Sequence, residues 1–263
     1  MAKNPKILLG AIAGDIIGVP YERRPCEDFD FKLFTERSHF SDDTVLTLAV
    51  AEAILTDGDY GAALRRFGRR YPRAGYGGWF SGWLYSPDPQ PYQSFGNGSA
   101  MRVSAVGWAF NALDDVMSEA EASASVTHDH EKGIKGARAV ALSIYLARTG
   151  SSKNEIRDQV ADHFDYDLDR TIDQIRPNYR WCVKCQCSVP ESIIAFLDSN
   201  DYEDAVRLAI TLGGDADTMA AIAGSIAEAY YGGVPVAIAA EVEARLPPDL
   251  WQVVEAFNQR YNQ

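Results

Sequence analysis

The chain has 263 residues, 46% hydrophobic and 24% charged, with a net charge of −12. That balance fits a soluble globular protein. It excludes a sequence-independent grip on nucleic acid as the main function, since such a grip needs many Lys and Arg against phosphates. No apolar run approaches the roughly 18 to 20 residues of a membrane span. The N-terminal apolar stretch is too short, and too soon interrupted by Asp15, to be a signal peptide. Four cysteines in a chain this size make no disulfide framework, so a cytoplasmic protein with reduced thiols is expected.

Residues 7–17 are apolar and rich in small side chains (Gly10, Ala11, Ala13, Gly14), with Gly18 just beyond. Small residues at three- and four-residue spacings predict a helix packed closely on its neighbours. Asp15 is the one charge inside this run, and Pro20 ends it. Residues 23–40 show no period and read as a loop. Ser41-Asp42-Asp43-Thr44 then precedes the apolar run 45–55, the pattern of a helix start. A basic amphipathic helix is predicted over residues 60–70. Residues 72–98, rich in Gly, Pro and aromatics, read as a long loop of the kind that is usually functional.

Further helices are predicted over residues 104–110, 114–126, 133–148, 151–164, 165–176, 188–198, 202–212, 219–231, 234–245 and 250–261. Neither an alternating strand pattern nor a low-complexity linker interrupts them. The chain is therefore expected to be all-α, a single compact multi-helix domain spanning residues 1–263. Without sustained heptads in any helix, a monomer is expected.

Gly213-Gly214-Asp215-Ala216-Asp217-Thr218 repeats the design of residues 41–44: carboxylates and a hydroxyl at the mouth of an Ala-rich helix. One such cluster is explained by capping, which needs a single oxygen. Two of the same composition offer four carboxylates and hydroxyls, an all-oxygen environment suited to Mg²⁺, Mn²⁺ or Ca²⁺ rather than zinc. Four carboxylates can hold two divalent ions. The turn around Asn97 offers backbone N–H groups that can converge on an anion, or is a plain loop. His128 and His130 lack nearby partners for a transition-metal site. Cys182, Cys185 and Cys187 have only Cys26 left to complete a zinc set, and read as structural thiols before a helix.

Taken in order, five segments resemble the signatures of the ADP-ribosylglycohydrolases. They are Gly14-Asp15 with Tyr21-Glu22; Ser41-Asp42-Asp43-Thr44; Phe95-Gly96-Asn97-Gly98-Ser99-Ala100-Met101-Arg102; Thr127-His128; and Gly213 to Thr218. The family includes the dinitrogenase-reductase-activating glycohydrolase and the ADP-ribosyl-acceptor hydrolases, and the resemblance covers nearly the whole chain. It implies an all-α fold, a dinuclear Mg²⁺ or Mn²⁺ centre, and hydrolysis of the bond between ADP-ribose and an acceptor. The implied metal ligands are Ser41, Asp42, Asp43, Asp215, Asp217 and Thr218. Glu22, Asp42 and Asp43 are the implied catalytic carboxylates.

The implied substrate contacts are Glu22, Phe95, Asn97, Gly98, Ser99, Ala100, Met101 and His128, with the glycine turn on the diphosphate and Phe95 near the adenine. His130 is expected to cap a helix or lie at the surface. By analogy the default substrate is ADP-ribosyl-arginine on protein. Rival readings are a hydrolase of another ADP-ribosyl conjugate (serine-, nucleobase- or small-molecule-linked) and a non-catalytic ADP-ribose-binding protein. The aromatic loop 72–95 is the candidate acceptor side.

Overall fold

The computed structural model describes residues 5–24, 26 and 28–262. The chain runs through α1 (Leu9–Gly18), a 3₁₀ turn (Val19–Tyr21), α2 (Asp42–Leu55), α3 (Tyr60–Arg70), α4 (Gly78–Tyr85) and α5 (Gly98–Met101). It continues through α6 (Ser104–Ala109), α7 (Leu113–Ser125), α8 (Glu131–Arg148), α9 (Lys153–Phe164) and α10 (Ile172–Ile175). It ends with α11 (Cys185–Asp198), α12 (Tyr202–Ile210), α13 (Ala216–Tyr231), α14 (Val236–Arg245) and α15 (Pro248–Tyr261). Among the described residues there is no strand, only an isolated antiparallel bridge between Gly96 and Lys184. No helix of the described residues is long and apolar enough to cross a membrane. The all-α expectation holds. Parts of the expected N-terminal segment (1–4) and of the 23–40 loop (25 and 27) lie outside the described residues, as does residue 263.

Three segments differ from expectation. The presumed loop 72–98 contains α4, whose Phe80, Trp83 and Leu84 are buried at helical spacing. Its period is obscured by the glycines around it, and Leu84 seats in the notch left by Gly68 of α3. The presumed helix 165–176 is helical only over α10. Tyr166 and Leu168 are buried between exposed neighbours, an every-second-residue pattern that an extended chain satisfies and a helix does not. The helix expected from residue 188 starts earlier, at Cys185.

The cysteines divide accordingly. Cys185, at the start of α11, faces inward and donates its S–H to the Gly96 carbonyl at 3.0 Å. Cys182 and Cys187 are joined by a disulfide, their Cα atoms 6.2 Å apart, because the turn into α11 folds both outward-facing thiols onto one side. The expectation of reduced thiols is corrected for this pair. Cys26 is free.

α13 is buried from Ala216 to Ala229, so it is the central element, flanked by α1, α8, α11 and α12. A helix apolar on all sides has to be enclosed in this way. α1 lies closest to it. Gly10, Gly14 and Gly18 share one face of α1, and a methyl group on Gly14 would overlap the Ala220 backbone. At Gly10 and Gly18 the obstacles are Gly224 and Asp217. Backbone-to-backbone contact of this kind is what brings Asp15, the charge carried by α1, up to the start of α13. The α1 N-terminus has no side-chain cap of its own: Leu8 is left-handed at φ 73°. The Glu228 carboxylate of α13 stands against the Leu8, Leu9 and Gly10 amides instead, without well-formed hydrogen bonds. Burial pushes its pKa up to about 8 despite those amides.

Two stability predictions follow from this packing. Gly14→Ala should lower the unfolding free energy by about 3 kcal/mol, measured by urea denaturation, because the added methyl meets backbone that cannot repack. Glu228 has a folded pKa above the ordinary 4.5, so the native state holds its proton longer than the unfolded chain does. Its contribution to stability therefore falls as pH rises from about 4.5 to about 8. Thermal melts across that range should show a shallower decline for Glu228→Gln than for the wild type.

Candidate metal centre and glycine turn

Three helices deliver carboxylates to one buried point. Asp15 comes from α1, Asp43 from the first turn of α2 and Asp217 from the first turn of α13. One oxygen from each lies within 4.8 Å of the others. Asp15 is not among the implied ligands; in the sequence it is the lone charge in an apolar run and part of the Gly14-Asp15 segment. It ties the cluster together by accepting four hydrogen bonds. The Ser41 N–H (2.9 Å) and hydroxyl (2.6 Å) donate to it, as do the Thr44 N–H (3.1 Å) and hydroxyl. Ser41 also caps α2, its Oγ accepting the Asp43 N–H at 3.2 Å.

The remaining implied ligands surround this trio. Asp42 is half-buried, its backbone N–H bonded to the Ala74 carbonyl at 2.8 Å. Asp215 stands at the N-cap position of α13 without a side-chain cap bond, and accepts from Asn97 Nδ2 at 2.7 Å. The Thr218 hydroxyl donates to Asp43 Oδ2 at 3.3 Å, and the Thr218 N–H to Asp217 Oδ1 at 3.0 Å. Glu22 follows the 3₁₀ turn and pairs with Arg23 at 3.3 Å. It lies near enough for its charge to raise Asp42, Asp215 and Asp217.

So much negative charge in one place is unstable by itself. Burial, then Asp217 and Asp15, push the Asp43 carboxyl well above the usual carboxylate range. Burial, then Asp215 and Asp15, do the same to Asp217. Asp42 is pushed up to about 7 by burial and the Asp15 charge. The positive ends of α2 and α13 point at the cluster but offset only part of this repulsion. Asp43 Oδ1 is buried with no hydrogen-bond partner among the described residues. An orphan carboxylate oxygen, like charges and neighbouring hydroxyls form a donor set that fits a hard divalent cation.

The glycine turn is built against this cluster. Asn97 and Met101 are buried, and the Met101 carbonyl accepts from Thr47 of α2 at 3.3 Å. The Asn97 N–H bonds to the Val183 carbonyl (2.9 Å) and the Cys185 N–H to the Phe95 carbonyl (3.0 Å), so the segment before α11 clamps the turn. Gly98 opens α5. Ser99 and Ala100 are fully buried, and the Ser99 hydroxyl is already donated to the Gly133 carbonyl at 2.8 Å. Phe95 is 38% exposed, with Lys184 Nζ 5.7 Å from its ring and His130 edge-on at 5.2 Å. His128 is buried with Nε2 against Gly96 and Gly98. His130 caps α8, as expected. In the 72–95 segment Trp79 is 77% exposed and stacks on Tyr92, which in turn meets the His128 ring at 6.0 Å.

The sequence profile of the ADP-ribosylglycohydrolase family matches residues 6–263. The ADP-ribosylhydrolase ARH3 of Mus musculus is 28% identical, with 86% of this chain and 82% of the mouse protein aligned. The ADP-ribosylarginine hydrolase Tri1 of Pseudomonas putida (strain GB-1) is 27% identical, over 86% of this chain and 69% of its own. A solved structure described as an ADP-ribosylglycohydrolase-related protein complex superposes with a TM-score of 0.73 at 23% identity, covering 96% of this chain and 97% of that one, and shares the fold.

The charge cluster makes a two-sided prediction. In chelator-treated protein, Asp43→Asn should raise stability by about 1–2 kcal/mol, since it removes a repelled carboxylate and keeps an acceptor for Thr218. A hard divalent cation should raise the melting temperature of the wild type, and the same variant should lose that rise, as read by calorimetry.

Proposed function

The chain belongs to the ADP-ribosylglycohydrolase family, and on that premise we propose that it hydrolyses the bond between C1″ of ADP-ribose and an acceptor, by default arginine on a protein. The observation that carries the reading is the buried meeting of Asp15, Asp43 and Asp217, with Asp215 beside it accepting a hydrogen bond from Asn97 of the glycine turn. Asp42, Asp43, Asp215 and Asp217, with Ser41 and Thr218, would hold two divalent cations, Mg²⁺ or Mn²⁺. Held there, they would supply charge neutralisation and oxygen coordination for the substrate.

The chain's own residues do the rest. The glycine turn receives the diphosphate, and Phe95 offers an exposed ring to the adenine. Asn97 links the two halves, holding Asp215 while its backbone shapes the turn. Fixing the substrate this way lowers the barrier by several kcal/mol through orientation alone, on the order of what intramolecular reactions gain. Departure of the acceptor leaves oxocarbenium character on the ribose, which the surrounding carboxylates favour. A carboxylate at the site, Glu22 or one of the Asp42/Asp43 pair, accepts the proton of the attacking water as the water oxygen bonds to C1″, and a proton passes to the departing acceptor. The exposed Trp79, stacked on Tyr92 beside His128, supports an arginine acceptor, because guanidinium groups stack on aromatic faces.

Asp217→Ala should abolish release of ADP-ribose from defined substrates while the fold survives, as monitored by chromatography of the products and circular dichroism. Full turnover in that variant would sink the assignment. Chelation should stop the wild-type reaction, and Mg²⁺ or Mn²⁺ should restore it. A panel of arginine-, serine- and nucleobase-linked substrates reads the acceptor. Turnover of the serine-linked member alone would replace the arginine assignment, and binding without turnover of any would make the protein an ADP-ribose receptor.

A further inference from the structure

Arg102 heads the fully buried side chains by size, and no carboxylate pairs with it among the described residues. Nη2 donates to the Ser123 carbonyl (2.8 Å) and to Thr127 Oγ1 (2.9 Å), while Nε and Nη1 have no partner. A buried cation without a counter-charge is costly, so its place directly after α5 calls for an explanation beyond packing.

Thr127 Oγ1 also lies 2.7 Å from His128 Nδ1. A guanidinium can only donate. A hydroxyl oxygen already carrying a cation's N–H becomes a weaker acceptor and a stronger donor. Tyr92 faces the same hydroxyl, but the imidazole nitrogen is the stronger acceptor. Thr127 therefore gives its proton to Nδ1, which leaves the ring proton on Nε2. That nitrogen has no protein partner among the described residues and faces the glycine turn, 3.3 Å from the position a Cβ on Gly98 would take. Burial and the Arg102 charge both hold His128 well below its ordinary range, consistent with a neutral ring.

We infer that Arg102 and Thr127 are positioning residues that set His128 as a neutral donor through Nε2–H toward an anionic group at the Gly96–Gly98 turn. The identity of the anion as the substrate diphosphate rests on the reading proposed above; the hydrogen-bond relay does not.

Long-range ¹⁵N–¹H correlation of His128 in the intact protein should show the Nε2–H form throughout, without titration between about pH 6 and pH 8, where an ordinary histidine changes charge. An Nδ1–H tautomer or a protonated ring overturns the inference whatever the enzyme does. Thr127→Val keeps the shape and removes the hydroxyl. It should mix the two tautomers and weaken binding of ADP, measured by calorimetry, by about tenfold, the size of one hydrogen bond to a charged group. With an active substrate, KM should rise by a similar factor and kcat change far less. Arg102→Lys keeps the charge and loses the fork, and should reproduce the tautomer mixing with a smaller loss of ADP affinity. Wild-type tautomer and affinity in both variants overturn the inference. ADP is the probe because it carries the diphosphate and lacks the distal ribose. A relay seen by NMR and ADP binding therefore stands even if no ADP-ribosyl substrate is turned over, and that second result counts against the hydrolase reading alone.

Discussion

Mutual repulsion among buried carboxylates is the constraint around which this protein is arranged. Asp15, Asp43 and Asp217 would separate if the chain allowed it, because burial and like charge both oppose their ionised forms. They stay together because each is carried by a helix fixed elsewhere in the core. Asp43 and Asp217 occupy first turns, where exposed amides favour negative charge. Asp15 has no such helix terminus, and hydrogen bonds from Ser41 and Thr44 take its place. The same serine caps α2, so the cap and the cluster cannot be altered independently.

Holding Asp15 in position requires α1 and α13 to touch along their backbones. Glycine on one face of α1 removes the side chains that would keep the axes apart. Tyr202 of α12 secures the pair by donating to the Gly10 carbonyl at 2.8 Å. Glu228 faces the uncapped start of α1 from the far end of α13, so one long helix carries a carboxylate of the candidate site and a structural one. The two respond to the same low-polarity surroundings: burial raises both.

On the side of the glycine turn, the candidate site is assembled from pieces that lie far apart in the chain. Asn97 reaches Asp215, Thr47 reaches the Met101 carbonyl, and the segment before α11 pairs with Phe95 and Asn97. The residue types of the glycine turn were legible from their order and spacing. Which of their groups remain available was not. Ser99 has already spent its hydroxyl on Gly133, whereas His128 keeps Nε2 open. Arg102, which closes the glycine-turn signature in the sequence, is enclosed, its Nη2 donating to the Ser123 carbonyl of α7 and to Thr127 just beyond that helix.

What the sequence determined by itself was local. Helical periodicity, acidic helix starts at residues 41–44 and 215–218, and the small-residue face of α1 depend on neighbours a few positions away, and each is present in the fold. The tertiary structure decided whatever depends on distant partners. It made Asp15 the centre of the carboxylate trio, formed α4 within a segment that shows no period, and kept residues 166 and 168 extended where a helix was expected. It paired Cys182 with Cys187 and turned Cys185 inward. The physical reason is common to all of these: burial and charge act through space, and only the packed chain specifies which groups share the same low-dielectric volume.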